Sequence, residues 1–201
     1  KHNEADYYKG LSGKVRAAYF KKYVKKNGRV KPSKQGAYVL ALVYDMVPEK
    51  MRPKLAAHLA KMVKDNDYHL DTGFLSTPHL CQVLCDNGYE DIAFKVLNQD
   101  TIPSWLYEVR KGATSVWEAW DCIKADGKLR KGMSFNHYAF GAVGEWLYRY
   151  IAGIGFDEDS PGYKHIIFSP HPGDGLTEAQ AVHQSPYGEI KSSWKLSEGK
   201  M

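Results

Sequence analysis

The stretch SKQGAYVLALVYDMVPEKMRPKLAAHLAKMVKD, residues 33–65, decides the fold. Ala37, Leu40, Ala41 and Tyr44 recur at helical spacing, Ser33 stands where an N-cap belongs, and Pro48 ends the run. Segment 50–65 repeats the pattern with Leu55, Leu59, Met62 and Val63. Two amphipathic helices joined by a short turn bury their apolar stripes against each other. Working outward, the unit recurs. Segment 4–26 marks one face with Leu11, Val15, Ala18, Tyr19 and Tyr23 before Gly28 stops it. Segment 77–86 carries Leu80, Val83 and Leu84 and is followed by Gly88; segment 90–98 carries Ile92, Val96 and Leu97. Segment 136–152 predicts a further, strong helix through Phe140, Val143, Leu147 and Ile151. Paired helices with short turns predict an α/α hairpin array or toroid over residues 1–155.

Residues 100–135 interrupt this pattern. Pro103, Gly112, Gly127 and Gly132 break helices there, while Trp105, Tyr107, Trp117 and Trp120 argue against disorder. A long irregular stretch inside a helical domain reads as binding loops. After Gly155 the texture changes again. DEDSPG is a linker or turn, and short alternating runs follow at His165–Ser169, Leu176–His183 and Gly188–Leu196. Residues 156–201 therefore read as a short antiparallel β segment, the start of a second domain. Three strands with open edges make a poor free-standing unit, and Met201 falls in what reads as the middle of it.

Hydrophobic residues at 43% and charged residues at 25% exclude collagen-like, mucin-like and wholly disordered chains. No apolar run reaches the ~18 residues of a membrane span, so no membrane partner is expected. The opening KHNEADYYKG lacks Met and an apolar signal region, which reads as a processed or excised chain. Charge is uneven: residues 1–66 hold 16 Lys and Arg against 5 Asp and Glu, and the remainder 12 against 18. A basic front end suits an anionic partner or a set of solvated helix faces. No nucleic-acid motif accompanies it, so the solvated faces are expected and nucleic acid is not a partner. Cys81, Cys85 and Cys122 have no disulfide-framework spacing and read as buried small hydrophobes. With no HExxH motif, EF-hand loop or cysteine cluster, no metal and no cofactor is expected.

The chemical candidate is GATSVWEAWD, residues 112–121, where Glu118 and Asp121 lie among Trp117 and Trp120. An environment can tune a carboxyl group, and aromatic rings can pack on the C–H face of a sugar. The same pattern also fits an exposed carboxylate beside buried rings. His137 has the same two readings: a core histidine satisfied by backbone, or an imidazole that orients a ligand hydroxyl.

Four separated blocks, in order, make the pattern specific: HLDTGF at 69–74 followed by TPHL, PSW at 103–105, GATSVWEAWD, and SFNHYAFGAVGEWLYR at 134–149. Together they resemble the C-terminal half of the catalytic domain of bacterial α-L-rhamnosidases, and the tail from 164 resembles the start of the β-sandwich domain that follows it. The resemblance implies part of an (α/α)6 barrel and hydrolysis of terminal α-L-rhamnosyl residues with inversion. It implies Glu118 as general base and His137 lining the rhamnose pocket, with Trp117 and Trp120 as pocket walls or supports. Trp105, Asp121 and Phe74 carry over as substrate-binding positions. The family's general acid lies in an Asp- and Arg-containing block that residues 1–70 do not contain. The chain is therefore expected to be a fragment, inactive alone, whose partners are a rhamnose-containing oligosaccharide or glycoside and the remainder of its parent polypeptide. A non-catalytic carbohydrate-binding or scaffold domain of the same fold is the alternative.

Overall fold

The helix pair in residues 33–65 forms as α2, Gln35–Val43, and α3, Arg52–Asp65, following α1, His2–Tyr23. The structure is a computed structural model that describes residues 2–157 and 159–197. The chain ends Lys1 and Met201, and Glu158 of the expected linker, lie outside the described residues. Leu55, Leu59 and Val63 of α3 are buried against Val39, Ala41 and Leu42 of α2. Two further helices, α4 (Thr77–Asp86) and α5 (Glu90–Leu97), add Leu80, Leu84, Ile92 and Phe94 to the same core. Burying such side chains contributes roughly 1.5–3 kcal/mol each before ordering costs. Cys81 and Cys85 are buried with them, and burial pushes the Cys85 thiol up to about 12. They act as small hydrophobes, as expected.

Several local expectations are corrected. The N-cap of α2 is Lys34, not Ser33, and no side chain caps it. Helix α2 begins later because Gln35 is drawn inward. Its amide donates to the His69 carbonyl at 3.0 Å and accepts from the Asp71 N–H at 2.9 Å. The apolar face of α1 meets the core only at its C-terminal end, through Tyr19, Phe20 and the following Val24. Leu11 and Val15 are exposed instead, beside Val43 and Tyr44.

A short helix, α6 (Trp105–Arg110), stands inside the stretch read as loops. Ser104 caps it, accepting the Tyr107 N–H at 3.1 Å. The helix expected over 136–152 is shorter and mixed. It is a 3₁₀ turn at Phe140–Ala142, then α7 (Val143–Trp146), then a π-helical turn at Leu147–Ile151. Residues 134–137 cannot join it, because their backbone is bonded to 116–118: His137 N–H reaches the Val116 carbonyl at 2.8 Å.

Among the described residues four strands follow, where three were expected. The extra one, β1 (Ile154–Phe156), pairs antiparallel with β2 (Ile166–Phe168), Gly155 opposite Ile167. Gly153 permits the abrupt change from helix to strand: its φ is +72°, and a Cβ there would lie 2.1 Å from Pro170 N. The second pair, β3 (Glu178–Ser185) and β4 (Gly188–Lys195), is a hairpin with Val182 opposite Lys191. Ile190 and Trp194 face inward, and Trp194 Nε1–H donates to the Ile151 carbonyl at 2.6 Å, fixing the hairpin to the helix end.

Candidate active site

The block GATSVWEAWD leaves α6 through Gly112, whose φ of +81° makes the reversal possible. Residues 116–118 then lie beside 134–137, with a bend at Glu118. Glu118 N–H donates to the Ser134 carbonyl at 2.9 Å, and Ser134 N–H returns to Glu118 Oε2 at 2.8 Å. With the bond from His137 N–H to the Val116 carbonyl, these contacts set Glu118 and His137 on neighbouring segments. Glu118 is half-buried, and among the described residues its Oε1 accepts no hydrogen bond.

Half-buried His137 is the centre of an aromatic stack. Phe74 lies against one face at 4.7 Å between centroids, and the exposed Tyr138 ring lies 5.3 Å away, nearly parallel. Its Nδ1 accepts the Ala139 N–H at 3.2 Å. A ring nitrogen that accepts holds no proton, so the neutral imidazole carries its proton on Nε2, ready to donate. Phe74 also meets Phe140 edge-on at 5.0 Å, and Phe140 stacks on Trp120 at 4.1 Å. Trp105 closes the row, edge-on to Trp120 at 5.6 Å, with its Nε1–H on the Phe140 carbonyl at 2.9 Å. Such offset and edge-to-face contacts hold rings rigidly.

The sequence candidates divide between two places. Phe74, His137, Trp120 and Trp105 form one contiguous wall. Trp117 lies apart from that wall, in a separate buried cluster with Tyr107 and Cys122. Asp121 is ion-paired with Arg130 across a small hairpin in which Arg130 N–H bonds the Cys122 carbonyl at 2.8 Å.

Two structural groups were not singled out by the sequence. Gln35 positions the start of the HLDTGF block, as described above. Glu108 of α6 is 2% exposed, and its Oε2 accepts the Trp117 N–H at 3.2 Å. Its other oxygen is buried with no partner among the described residues, and burial pushes the carboxyl up to about 7. Nothing in WLYEVR distinguishes that glutamate from a solvated one.

Residues 1–151 match the bacterial α-L-rhamnosidase six-hairpin glycosidase domain, and residues 153–201 match the bacterial α-L-rhamnosidase C-terminal domain. The chain is 42% identical over 194 residues to an α-L-rhamnosidase of Streptomyces avermitilis, covering 96% of this chain and 19% of that protein. It is 40% identical over 203 residues to an α-L-rhamnosidase of Formosa agariphila, covering 98% and 21%. It thus spans about a fifth of the length of these curated relatives. The crystal structure of the Streptomyces avermitilis α-L-rhamnosidase complexed with L-rhamnose superposes with a TM-score of 0.93 at 42% identity, covering 97% of this chain and 19% of that one. That of native α-L-rhamnosidase from Aspergillus terreus gives 0.94 at 34% identity, covering 99% and 23%. By its matched domains and its mainly helical fold with a short antiparallel β segment, this chain belongs to the bacterial α-L-rhamnosidase family.

Proposed function

We propose that this chain supplies the base half of an inverting α-L-rhamnosidase site, with Glu118 as general base and His137 in the rhamnose pocket. The observation that carries the reading is the set of hydrogen bonds between 116–118 and 134–137, which puts Glu118, bonded only at Oε2, and His137, whose Nδ1 accepts, on neighbouring segments. A relative of the same fold was crystallised with L-rhamnose, which supports the sugar assignment. In this scheme Glu118 Oε1 takes a proton from a water whose oxygen attacks the anomeric carbon. The glycosidic C–O bond breaks as a second carboxyl protonates the leaving oxygen. Inversion sets the two carboxyl groups roughly 6.5–9.5 Å apart, leaving room for that water. We assign the second carboxyl to a longer polypeptide, because no block of the family's acid type stands in residues 1–70. His137 Nε2–H donates to a sugar hydroxyl, and exposed Phe74, backed by Phe140 and Trp120, packs on the C–H face. Residues 1–155 carry this site, and 156–201 begin the following β domain.

Calorimetric titration of L-rhamnose into the full polypeptide carrying these residues tests the pocket. Saturable binding that weakens by about tenfold or more in His137→Ala is expected, the scale of one lost hydrogen bond to a buried site. Binding that is absent, or indifferent to that change, overturns the assignment.

A further inference from the structure

The carboxyl of Glu108 meets a backbone N–H that the bonds to residues 134–137 leave out. The Val116 carbonyl and Glu118 N–H are both taken by residues 134–137. The Trp117 N–H between them is not, and Trp117 is 2% exposed. A buried N–H without a partner is costly. Glu108 supplies that partner from α6. The same helix reaches the rest of the site: Trp105 Nε1–H bonds the Phe140 carbonyl, and Tyr107 Oη–H bonds the Ile123 carbonyl at 2.7 Å. Three side chains of one helix thus hold the His137 block, the hairpin after Asp121, and the residue before Glu118.

We infer that Glu108 is a positioning residue: its carboxyl holds the Trp117 backbone, and so fixes where Glu118 presents its free oxygen to the attacking water. The inference rests on the proposed role of Glu118. The unpartnered Oε1 argues that the carboxyl is not there for stability. A buried carboxyl with a single hydrogen bond is a poor core group, and an apolar residue would fill the space at lower cost.

Two variants of the full polypeptide separate positioning from packing. Glu108→Gln keeps a carbonyl oxygen for the Trp117 N–H, whereas Glu108→Leu fills the volume without an acceptor. Hydrogen exchange is followed in peptides covering 113–121 and 131–139, alongside kcat and KM on an aryl α-L-rhamnoside. Glu108→Leu is expected to speed exchange in both peptides by roughly tenfold, leaving peptides of α3 to α5 unchanged. Its kcat should fall by about 10²-fold, the scale of a 1 Å misplacement, with KM changed far less. Glu108→Gln should restore both readouts most of the way. Wild-type exchange and kcat in Glu108→Leu, or a Gln variant no better than Leu, overturns the inference. If Glu108→Leu unfolds, Glu108→Gln decides alone: faster exchange at 113–121 in a folded Gln variant counts against it. A wild-type protein without rhamnosidase turnover counts against the functional reading instead, and the exchange data still decide the role of Glu108.

Discussion

Glu118 and Ser134 are bonded twice, once through each backbone N–H, so that the carboxylate of Glu118 is clamped at Oε2 and open at Oε1. A glutamine at 118 can keep the clamp, since its carbonyl oxygen accepts the same Ser134 N–H, but it cannot take a proton from water. Glu118→Gln is therefore expected to leave the thermal midpoint within a degree or two while lowering turnover by about 10²–10⁴-fold, the usual worth of acid–base catalysis. Parallel melting and steady-state kinetics check this. A variant that melts early and loses turnover in proportion would point to a structural role.

Trp105 is the keystone of the aromatic row, buried and bonded to the Phe140 carbonyl. Trp105→Phe keeps a ring but removes the donor to that carbonyl and leaves a void. A loss of roughly 1–3 kcal/mol is expected in denaturant unfolding. Trp120 should then lose its edge-on partner, which near-ultraviolet circular dichroism would register as a changed tryptophan band.

Stability should depend on pH through Glu108. Its carboxyl titrates at about 7 when folded, above its ordinary value of 4.5, because burial disfavours the charge; the Trp117 N–H pulls weakly the other way. The folded state therefore holds the proton more tightly. Its contribution is most favourable below about pH 4.5 and is lost as pH rises through 7. Wild-type protein is expected to lose stability relative to Glu108→Gln between pH 5 and 8, by an amount on the order of 1–3 kcal/mol. Chemical unfolding of the two proteins across that range measures the difference, and parallel curves would contradict it.

The exposed face of α1 predicts association of the 201-residue chain. Tyr7, Tyr8, Leu11 and Val15 stand 65%, 65%, 42% and 50% exposed along it, beside exposed Tyr44. Apolar patches of this kind drive self-association. Sedimentation of the chain should show oligomers that dissociate in Leu11→Glu/Val15→Glu. A monomer that melts cooperatively without those changes would refute the prediction.

Much of this architecture was legible in residues 33–97, where apolar spacing alone marks α2 to α5, because each helix buries a single stripe in one core. The long 136–152 helix was misjudged because periodicity is blind to competition for backbone: His137 N–H was already committed to Val116. Strand β1 was hidden because three residues after a helix carry no period, and only the positive φ of Gly153 creates it. At the site, the four blocks point to Glu118 and His137, but nothing in the spacing distinguishes Trp120, stacked on Phe140, from Trp117, buried with Tyr107 and Cys122. The bends and turn over residues 118–121 separate the two rings. Gln35 and Glu108 were invisible because a polar residue on a helix reads as solvated until the fold turns it inward.

The stereochemistry of hydrolysis tests the central claim most directly. Proton NMR would follow the anomer released from an aryl α-L-rhamnoside by the full polypeptide and by its Glu118→Ala variant, with and without azide. With Glu118 as general base of an inverting site, the wild type releases β-L-rhamnose first. Glu118→Ala loses that turnover and regains it with azide, which attacks in place of water and forms the β-rhamnosyl azide. Release of α-L-rhamnose as first product, or undiminished hydrolysis in Glu118→Ala, would contradict it.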